Sequence, residues 1–376
     1  MTRITGEWLE AEASQRVCAM LEAGGHQAWF VGGCVRNALL GAPVTDLDIS
    51  TDALPERVSE LAKAAGMRAV PTGIEHGTVT VVHGGVAFEV TTFRKDVETD
   101  GRHAVVAFAE TLEEDAERRD FTMNALYADA RGDLRDPVGG IADLEAQHFR
   151  FIGDAEARIR EDYLRILRFF RFFAWYGREL DPDGLAACAA FSAGLETLSA
   201  ERVTSEMVRL LSAPDPLRAV AAMEQAGVLA RVLPGASAKV LGPYLHLDPS
   251  QIDAMARLAA LGGEAAGLKL SRAQARDLET YREAMESEAN PGALGYRLGA
   301  TRGLSAVALR AAAFEQPLTE EAEAVALGAR SVFPVKAADL PPALEGPEIG
   351  AALKRLETMW IAESFAPSKA ELLSRL

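Results

Sequence analysis

The chain has 376 residues, of which 49% are hydrophobic and 25% charged, a composition typical of a folded protein with a sizeable core. Its formal net charge of −16 excludes a chain that coats nucleic acid through an overall basic surface, while a local basic patch stays compatible with it. The cysteines form no CxxC pair, no stretch approaches the ~18 unbroken apolar residues of a membrane span, and the amino terminus has no signal-peptide pattern, so we expect a cytoplasmic protein without a disulfide framework.

Up to about residue 90, helical and strand patterns alternate. WLEAEASQRVCAMLEAGG has the apolar spacing of a helix, QAWFVGG is a short apolar strand that runs into a glycine turn, and VRNALLG begins a second helix. TDLDIST then predicts a strand, PERVSELAKAAG a helix, and GTVTVVHGGVAFEVTTF a β-hairpin around its central glycines. These elements predict a mixed α/β domain with a small sheet.

The pattern changes further along the chain. Residues 94–117 are polar with one Asp-Gly turn, which predicts a mobile loop that leads into an acidic helix start. After Gly153 the helical spacing of Ala, Leu, Glu and Arg continues to the end, interrupted at LDPDG, SAPDP, VLPGAS and EANPGAL. We therefore expect an α+β fold in which a small mixed sheet comes first and helices follow.

Two aspartates one residue apart are the first candidates for chemistry. Side chains at alternate positions of a strand share a face, so Asp46 and Asp48 present two carboxylates together, while Leu47 and Ile49 point into the core. Like charges so placed repel each other unless a cation lies between them, and Mg²⁺ prefers such oxygen ligands. Glu89, on the neighbouring hairpin strand, is the candidate for a third carboxylate. A solvated strand end is the alternative for the aspartates, and an exposed strand glutamate is the alternative for Glu89.

Upstream of the aspartates, a glycine pair separates a strand from a helix. Gly32 and Gly33 expose backbone N–H groups at the positive end of that helix, where a triphosphate can approach closely. Arg36 lies one turn into the helix, and its guanidinium is suited to clamp a phosphate oxygen. A glycine pair, an arginine and two aspartates within one such unit favour a phosphate-plus-metal site over a plain turn between strand and helix.

REDYLRILRFFRFFAWYG predicts one helix with two unlike faces. Most of its apolar side chains share one face, and the opposite face carries three arginines: Arg165, Arg168 and Arg171. Phe169 and Phe172 fall outside the apolar face, so we expect them to pack against a neighbouring module. The arginines fit either a nucleotide-binding surface or a network of surface ion pairs.

The same helix offers two groups that can read a base. Asp162 and Arg165 are three residues apart, so on a helix they are neighbours that present one acceptor beside one donor, and Glu161 is placed to orient Arg165. Cytosine and adenine both carry an amino donor beside a ring-nitrogen acceptor, which these two residues satisfy. Uracil and guanine carry the reverse pattern and leave buried groups unpaired, at a cost of roughly 1–3 kcal/mol per group. Asp162 and Arg165 therefore predict use of CTP and ATP over UTP and GTP.

With these features identified, the chain resembles the class II tRNA nucleotidyltransferases, that is, the CCA-adding enzymes and their relatives the bacterial poly(A) polymerases. Motifs occur in the family's order over about 180 residues: VGGCVRNALLG with DLDIST, FEVTTFRKD with DGR, RRDFTMNALYAD, DPVGGIADL, REDYLRILRFFRF and SAERVTSEM. The resemblance implies a polymerase-β-like nucleotidyltransferase head over residues 1–147 and a helical neck with the base-reading helix over 148–215. It also implies an RNA-binding helical body over 216–290 and a tRNA-binding helical tail over 291–376. DPVGG would be the hinge between head and neck.

The resemblance also implies roles for individual residues. Asp46 and Asp48 match the family's metal-binding carboxylates, with a two-metal Mg²⁺ site as the cofactor. Asp162 and Arg165 match the family's amino-acid template for the base, and Arg119 and Asp120 match contacts to the nucleotide and its ribose. The full set of implied nucleotide contacts is Gly32, Gly33, Arg36, Arg119, Asp120, Asn124, Asp162, Arg165, Arg168 and Arg171.

The implied activity is template-independent addition of C and A nucleotides to the 3′ end of tRNA, from CTP and ATP, with release of pyrophosphate. A poly(A) polymerase and an A-only tRNA nucleotidyltransferase are the nearest alternatives, and a catalytically silent RNA-binding protein is the alternative outside the enzyme class. EDYLRILR and the tail segment favour CCA addition, and retention of the loop over 94–107 argues against an enzyme that adds only CC. The sequence leaves the oligomeric state open.

Two positions depart from the family's pattern. Asn37 stands where the family usually has an aspartate after the arginine, so any ionic role of that position is in question. DGRHA replaces the commoner DGRRP, which removes one positive charge from the loop.

Overall fold

The computed structural model describes residues 3–74, 77–99, 104–247 and 252–376, and the chain divides into two compact units, Met1–Leu198 and Ser199–Leu376. The first unit holds every strand that the structure describes, and the second is built from helices. This arrangement confirms the predicted α+β fold. The finer division into head, neck, body and tail stays a prediction.

A seven-stranded mixed sheet organises the first unit, with strand order β3-β4-β5-β2-β1-β8-β9. Only the β2–β5 pair is parallel, and the other neighbours in this sheet pair antiparallel. The strands are β1 (Trp29–Val31), β2 (Leu47–Thr51), β3 (Arg68–Gly73), β4 (Thr78–His83), β5 (Val86–Thr92), β6 (Arg94–Thr99), β7 (Ala104–Phe108), β8 (Tyr127–Ala128), β9 (Leu134–Arg135), β10 (His148–Phe149) and β11 (Glu179–Leu180). The predicted strands and the β4–β5 hairpin are confirmed. The short parallel β10–β11 pair is an addition within the predicted helical region.

Helices flank this sheet, and local signals fix where they begin. Gly32, with φ of +71°, turns the chain from β1 into α3 in a conformation that favours glycine. Pro55 opens α4, and Thr111 with Glu114 forms a capping box at the start of α5. The helices of this unit are α1 (Glu7–Glu10), α2 (Glu12–Ala23), α3 (Gly33–Leu40), α4 (Pro55–Ala64), α5 (Leu112–Glu117), α6 (Gly140–Ala146), α7 (Ala155–Glu161), α8 (Leu164–Tyr176) and α9 (Pro182–Ala190).

Two sequence predictions are wrong in detail. The segment expected to be a mobile loop forms an antiparallel ribbon of β6 and β7 before the predicted acidic helix α5. A two-stranded ribbon does not need the alternating apolar face that identifies a strand of a packed sheet, and the polar sequence of β6, RKDVET, gave no such signal, although β7, AVVAF, is apolar. Residues 100–103, which include the Asp-Gly turn and the altered DGRHA position, lie outside the described residues.

The second correction concerns the arginine-bearing helix, which is not continuous. α7 ends at Glu161 and α8 begins at Leu164, because Asp162 is extended, with φ of −155° and ψ of 106°. Its Oδ1 accepts a hydrogen bond from the Leu164 N–H at 3.0 Å. Aspartate favours such side-chain bonds at the start of a helix over a place inside one.

An aromatic cluster joins α8 to the rest of the first unit. Phe169 stacks on Phe151 with ring centroids 5.4 Å apart, and Phe172 stacks on Phe149 at 5.4 Å and meets the edge of Phe121 at 5.6 Å. Phe169 and Phe172 thus pack against rings from elsewhere in the first unit, and whether those rings belong to a separate module stays a prediction.

The second unit consists of closely packed helices, and two of its arginines donate hydrogen bonds to backbone carbonyls. The Arg257 guanidinium donates to the Leu211 carbonyl at 2.7 Å, and the Arg310 guanidinium donates to the Ala289 carbonyl at 2.7 Å. The helices are α10 (Ala200–Leu211), α11 (Leu217–Gln225), α12 (Val228–Val232), α13 (Leu241–Leu247), α14 (Ala254–Leu261), α15 (Arg272–Glu286), α16 (Pro291–Leu298), α17 (Ala300–Ala313), α18 (Glu321–Arg330), α19 (Pro347–Ala362) and α20 (Lys369–Leu373). The Arg257 bond satisfies the carbonyl at the end of α10, and the Arg310 bond satisfies a carbonyl in the segment between α15 and α16.

Candidate active site

The paired aspartates lie at the start of β2, as predicted. Leu47 and Ile49 are buried, Asp48 is partly buried and Asp46 is exposed. Asp48 is directly opposite Glu89 in the parallel register of β2 and β5, so the third predicted carboxylate sits on the adjacent strand at the same level. The sheet therefore places Glu89 beside the aspartates, although its side chain is exposed.

The charge on this strand pair is unbalanced. Burial raises the pKa of Asp48 to about 6, and repulsion from Glu89 and Asp46 adds to that effect, while Arg119 opposes it. Oxygen donors with excess negative charge suit a hard divalent cation. Within the described ranges, no group of three or more His, Cys, Asp or Glu side chains is gathered closely enough to hold a metal. The acidic strand end thus fits a cation that would draw its carboxylates together.

Arg36 occupies a buried position next to the glycine turn. Arg36 is 5% exposed. Its guanidinium donates to Asn124 Oδ1 at 2.5 Å and to the Tyr176 hydroxyl at 3.0 Å. Its Nε and Nη2 both donate to Asn37 Oδ1, at 3.2 and 3.0 Å. A Cβ atom on Gly33 would lie 3.8 Å from Arg36 Nη2. Gly33 of the turn and Arg36 of the helix, both predicted to contact phosphate, therefore lie next to each other.

All of these side-chain partners of Arg36 are neutral. No carboxylate in the described part of the chain forms an ion pair with Arg36, and burial lowers its pKa. Asn37 thus orients the guanidinium without cancelling its charge. A buried cation held only by neutral groups is costly unless an anion binds, so this position is suited to a phosphate.

The RRDFTMNA segment is anchored by an aspartate that the sequence analysis missed. Asp115 is fully buried and accepts hydrogen bonds from Arg119 Nη2 at 3.0 Å, from Arg118 Nη2 at 2.8 Å and from the Tyr127 hydroxyl at 2.9 Å. Burial alone would raise the pKa of Asp115, but the charges of Arg119 and Arg118 outweigh it and hold that pKa well below its usual range. The spacing of four residues between Asp115 and Arg119 was the available sequence signal.

Asp120 and Asn124 connect the glycine turn to α8. Asn124 accepts from Arg36 and donates its Nδ2 to Asp120 Oδ1 at 3.2 Å, and Asp120 Oδ2 accepts from Arg168 Nε at 2.7 Å. Burial would raise the pKa of Asp120, but the charge and hydrogen bonds of Arg168, with that of Asn124, lower it to about 2. Four predicted nucleotide contacts therefore form one continuous polar network.

The proposed base-reading residues are arranged differently from the helical prediction. Arg165 donates to Glu161, as expected, and also to the Arg158 carbonyl at 3.0 Å and the Arg118 carbonyl at 3.2 Å. Asp162 precedes α8 instead of lying on its surface. The described bonds use three of the five N–H groups of Arg165, so its Nε–H and one Nη2–H remain for a ligand.

Two aromatic residues of α8 were not recognised as part of this region. The Phe172 ring centroid lies 3.8 Å from Arg171 Cζ, 5.3 Å from Arg168 Cζ and 5.2 Å from Arg36 Cζ. The Tyr176 centroid lies 4.1 Å from Arg36 Cζ. The sequence analysis treated Phe172 only as a packing residue and did not single out Tyr176, yet the faces of both rings contact the site's cations.

Cavity shape does not locate this site. Cavities of about 520 and 490 Å³ both border Arg150, Gly153 and Asp154, and no predicted nucleotide contact lines either one. The charged network identifies the candidate site instead.

No helix in the described residues is long and apolar enough to cross a bilayer.

Comparisons with known proteins agree with this geometry. Residues 28–150 match the family described as Poly A polymerase head domain, and residues 178–240 match the probable RNA and SrmB-binding site of polymerase A. The CCA-adding enzyme of Geobacillus thermodenitrificans is 43% identical over 225 residues, which cover 59% of this chain and 54% of that protein. The alignment thus spans about half the length of this curated relative.

A solved structure extends the similarity along the chain. The crystal structure of the Bacillus stearothermophilus CCA-adding enzyme in complex with CTP is 31% identical, with a TM-score of 0.76, over 96% of this chain and 95% of that one. The Thermotoga maritima CCA-adding enzyme complexed with tRNA, at 17% identity and a TM-score of 0.70, shares the fold.

Proposed function

Because the chain belongs to the family of CCA-adding enzymes, we propose that it adds C and A nucleotides to the 3′ end of tRNA, from CTP and ATP, with release of pyrophosphate. The observation that carries this proposal is Arg36, a buried guanidinium with neutral partners beside a glycine turn and within one hydrogen-bonded network with Asp120 and Arg168. Such a position needs an anion, and a triphosphate supplies one.

We assign the acidic strand end to the metal. Asp46 and Asp48, with Glu89 as the third carboxylate, would hold Mg²⁺, which when bound supplies charge stabilisation for the attacking hydroxyl and the leaving phosphates. The protein's own contribution is to keep these carboxylates on adjacent positions of β2 and β5. Their mutual repulsion favours binding of a cation over an empty site.

The triphosphate would lie against the start of α3. Gly32 and Gly33 leave room for the phosphates to reach the backbone, and Arg36, in the first turn of α3, would bind phosphate oxygens. Arg119 and Asp120 are placed to contact the nucleotide and its ribose, and a ribose contact distinguishes ribonucleotides by their 2′-hydroxyl. The RNA 3′-hydroxyl then attacks the α-phosphate in line, and pyrophosphate leaves.

Base choice is assigned to Asp162 and Arg165. The contacts of Arg165 with Glu161 and two carbonyls fix the guanidinium, and its remaining Nε–H and Nη2–H form a fork that suits an acceptor edge. The Asp162 carboxylate supplies the acceptor for an exocyclic amino group. Arg168 and Arg171 complete the cationic surface for the nucleotide.

The partners of this site are tRNA, CTP and ATP, and the cytoplasm, where these occur, is the expected location. With a net charge of −16, the protein must bind RNA through a confined basic surface, so binding is expected to weaken steeply with salt.

The test uses purified protein with tRNA transcripts that end at the discriminator base or after one or two C residues, Mg²⁺, and each labelled NTP separately. We expect C addition to the first two substrates and A addition to the last, with little UTP or GTP incorporation. Incorporation of A alone would indicate an A-only enzyme, and long A tracts on unrelated RNA would indicate a poly(A) polymerase. No incorporation from any NTP would overturn the enzyme assignment and favour a silent RNA-binding protein.

A further inference from the structure

Tyr176, the last residue of α8, holds the Arg36 guanidinium in two ways. Its hydroxyl accepts from Arg36 Nη2 at 3.0 Å, and its ring centroid lies 4.1 Å from Arg36 Cζ. Phe172, one turn earlier on the same helix, brings a second ring within 5.2 Å of that carbon. Tyr176 is 140 residues from Arg36 in sequence, so only the fold creates this contact.

Asn37, the next residue after Arg36, forms two further hydrogen bonds with its guanidinium. Asn37 Oδ1 accepts from both Nε and Nη2 of Arg36, and Asn37 Nδ2 donates to the Pro43 carbonyl at 2.8 Å, which fixes the amide. The guanidinium is therefore oriented by an amide on α3, an amide from the RRDFTMNA segment and an aromatic residue on α8. Each contact leaves the full positive charge of Arg36 in place.

This environment contrasts with those of the neighbouring arginines. Arg119 is paired with Asp115, Arg168 with Asp120, and Arg165 with Glu161. A carboxylate at the position of Tyr176 would orient Arg36 equally well but would compete with phosphate for its charge. A hydroxyl and a ring face orient a guanidinium without that competition.

We propose that Tyr176 is a positioning residue for Arg36 and, through it, for the triphosphate of the incoming nucleotide. This inference rests on the proposed function, because it concerns the phosphate end of the same site. Arg36 has several rotatable bonds, and contact with the ring and hydroxyl restricts them before the nucleotide arrives. Loss of Tyr176 should therefore weaken binding of phosphates specifically, and leave binding of the nucleoside unaffected.

Two substitutions separate the two contacts. Tyr176→Phe removes the hydroxyl and keeps the ring, whereas Tyr176→Leu removes both. Tyr163→Phe is the matched control, because it deletes one hydroxyl immediately before α8, where the ring packs against Gly194, away from Arg36. Thermal denaturation of each variant confirms that it is folded before kinetics are measured.

The readouts are KM and kcat for ATP on tRNA that ends in CC, together with inhibition by pyrophosphate and by adenosine. We expect Tyr176→Phe to raise the KM for ATP and the Ki of pyrophosphate about 3- to 10-fold, the size of the effect of one ordinary hydrogen bond, because the bond acts on the phosphates only through Arg36. Tyr176→Leu should raise both by about 10- to 100-fold, because the ring contact is lost as well. The kcat should change less than about twofold, the Ki of adenosine should stay constant, and Tyr163→Phe should match the wild type.

Equal weakening of ATP and adenosine, or an unchanged KM and pyrophosphate Ki in Tyr176→Leu, would overturn the inference and leave Tyr176 with a purely structural role. If the wild type incorporates neither CTP nor ATP, the proposed function fails separately. Calorimetric titration of the same proteins with pyrophosphate then still tests the contact: equal affinity in wild type and Tyr176→Leu refutes it, and a 10-fold or larger loss supports it.

Discussion

Substitution of Asp120 by asparagine tests the network that joins the glycine turn to α8. Asp120 is 8% exposed, its Oδ2 pairs with Arg168, and its pKa is lowered to about 2 from an ordinary value of 3.8. One pKa unit corresponds to about 1.4 kcal/mol, so the ionised carboxylate contributes about 2 kcal/mol to the free energy of unfolding at pH 7. Asp120→Asn should lower that free energy by about this amount.

The pH dependence gives the sharper result. Because the folded-state pKa is depressed, the contribution is fully present above the unfolded-state pKa, near 4, and is lost as the pH falls toward 2. The difference between wild type and Asp120→Asn should therefore be about 2 kcal/mol at pH 7 and roughly half of that at pH 3, and it should disappear only below the folded-state pKa, near pH 2. Asp115 titrates in the same acidic range in both proteins, so its effect cancels in the difference.

Urea denaturation at pH 7, 4 and 3, followed by tryptophan fluorescence, measures this difference. Trp8, Trp29 and Trp175 all belong to the first compact unit, so the signal reports mainly on the unit that contains Asp120. Asp183→Asn, at an exposed position of α9, is the control and should leave the unfolding free energy nearly unchanged at every pH. A difference for Asp120→Asn that is the same at pH 3 as at pH 7 would refute the electrostatic account.

Three further predictions follow from other parts of the chain. Asp46→Ala should abolish nucleotide transfer while tRNA binding, measured by filter retention, changes less than about threefold; substantial residual activity would contradict the metal assignment. Arg165→Ala should lower kcat/KM for CTP and ATP at least about tenfold and reduce discrimination against UTP and GTP, and an unchanged base preference in single-NTP assays would show that the base is read elsewhere. Gly295→Ala should destabilise the second unit by about 3 kcal/mol or more. The added Cβ would lie 2.1 Å from the Val325 carbonyl oxygen, where α16 packs against α18. Gly267→Ala, with open space around its Cβ, is the control in thermal denaturation, and equal melting temperatures of the two variants would disprove the close crossing.

The local elements could be predicted from sequence because their signals are local. The alternation in TDLDIST placed Asp46 and Asp48 at the start of β2, and the glycine pair placed Arg36 inside α3. Prediction failed where a local preference competed with a regular pattern. Asp162 ends the helical pattern by bonding to the Leu164 N–H, and the polar sequence of β6 lacks the apolar alternation that would identify it as a strand.

Most ion pairs within the site could not be predicted from the sequence. The sequence predicted Arg119, Asp120 and Arg168 as separate nucleotide contacts, whereas the structure pairs Arg119 with Asp115 and Arg168 with Asp120. The pairing of Arg165 with Glu161 could be predicted, because four residues separate them. Asp115 read as one acid among several in LEEDAE, and only its burial under Arg118, Arg119 and Tyr127 reveals its role.

By itself, the sequence determined the order of helices and strands, the acidic strand end at Asp46 and Asp48, and the family resemblance, because these depend on residues close together in the chain. The tertiary structure alone decided that Arg36 pairs with no carboxylate among the described residues. Arg36 is met by Asn124 from 88 residues away and by Tyr176 from 140 residues away, and all its partners are neutral. Charge compensation depends on which groups the fold brings within about 3 Å, and sequence separation carries no information about that distance.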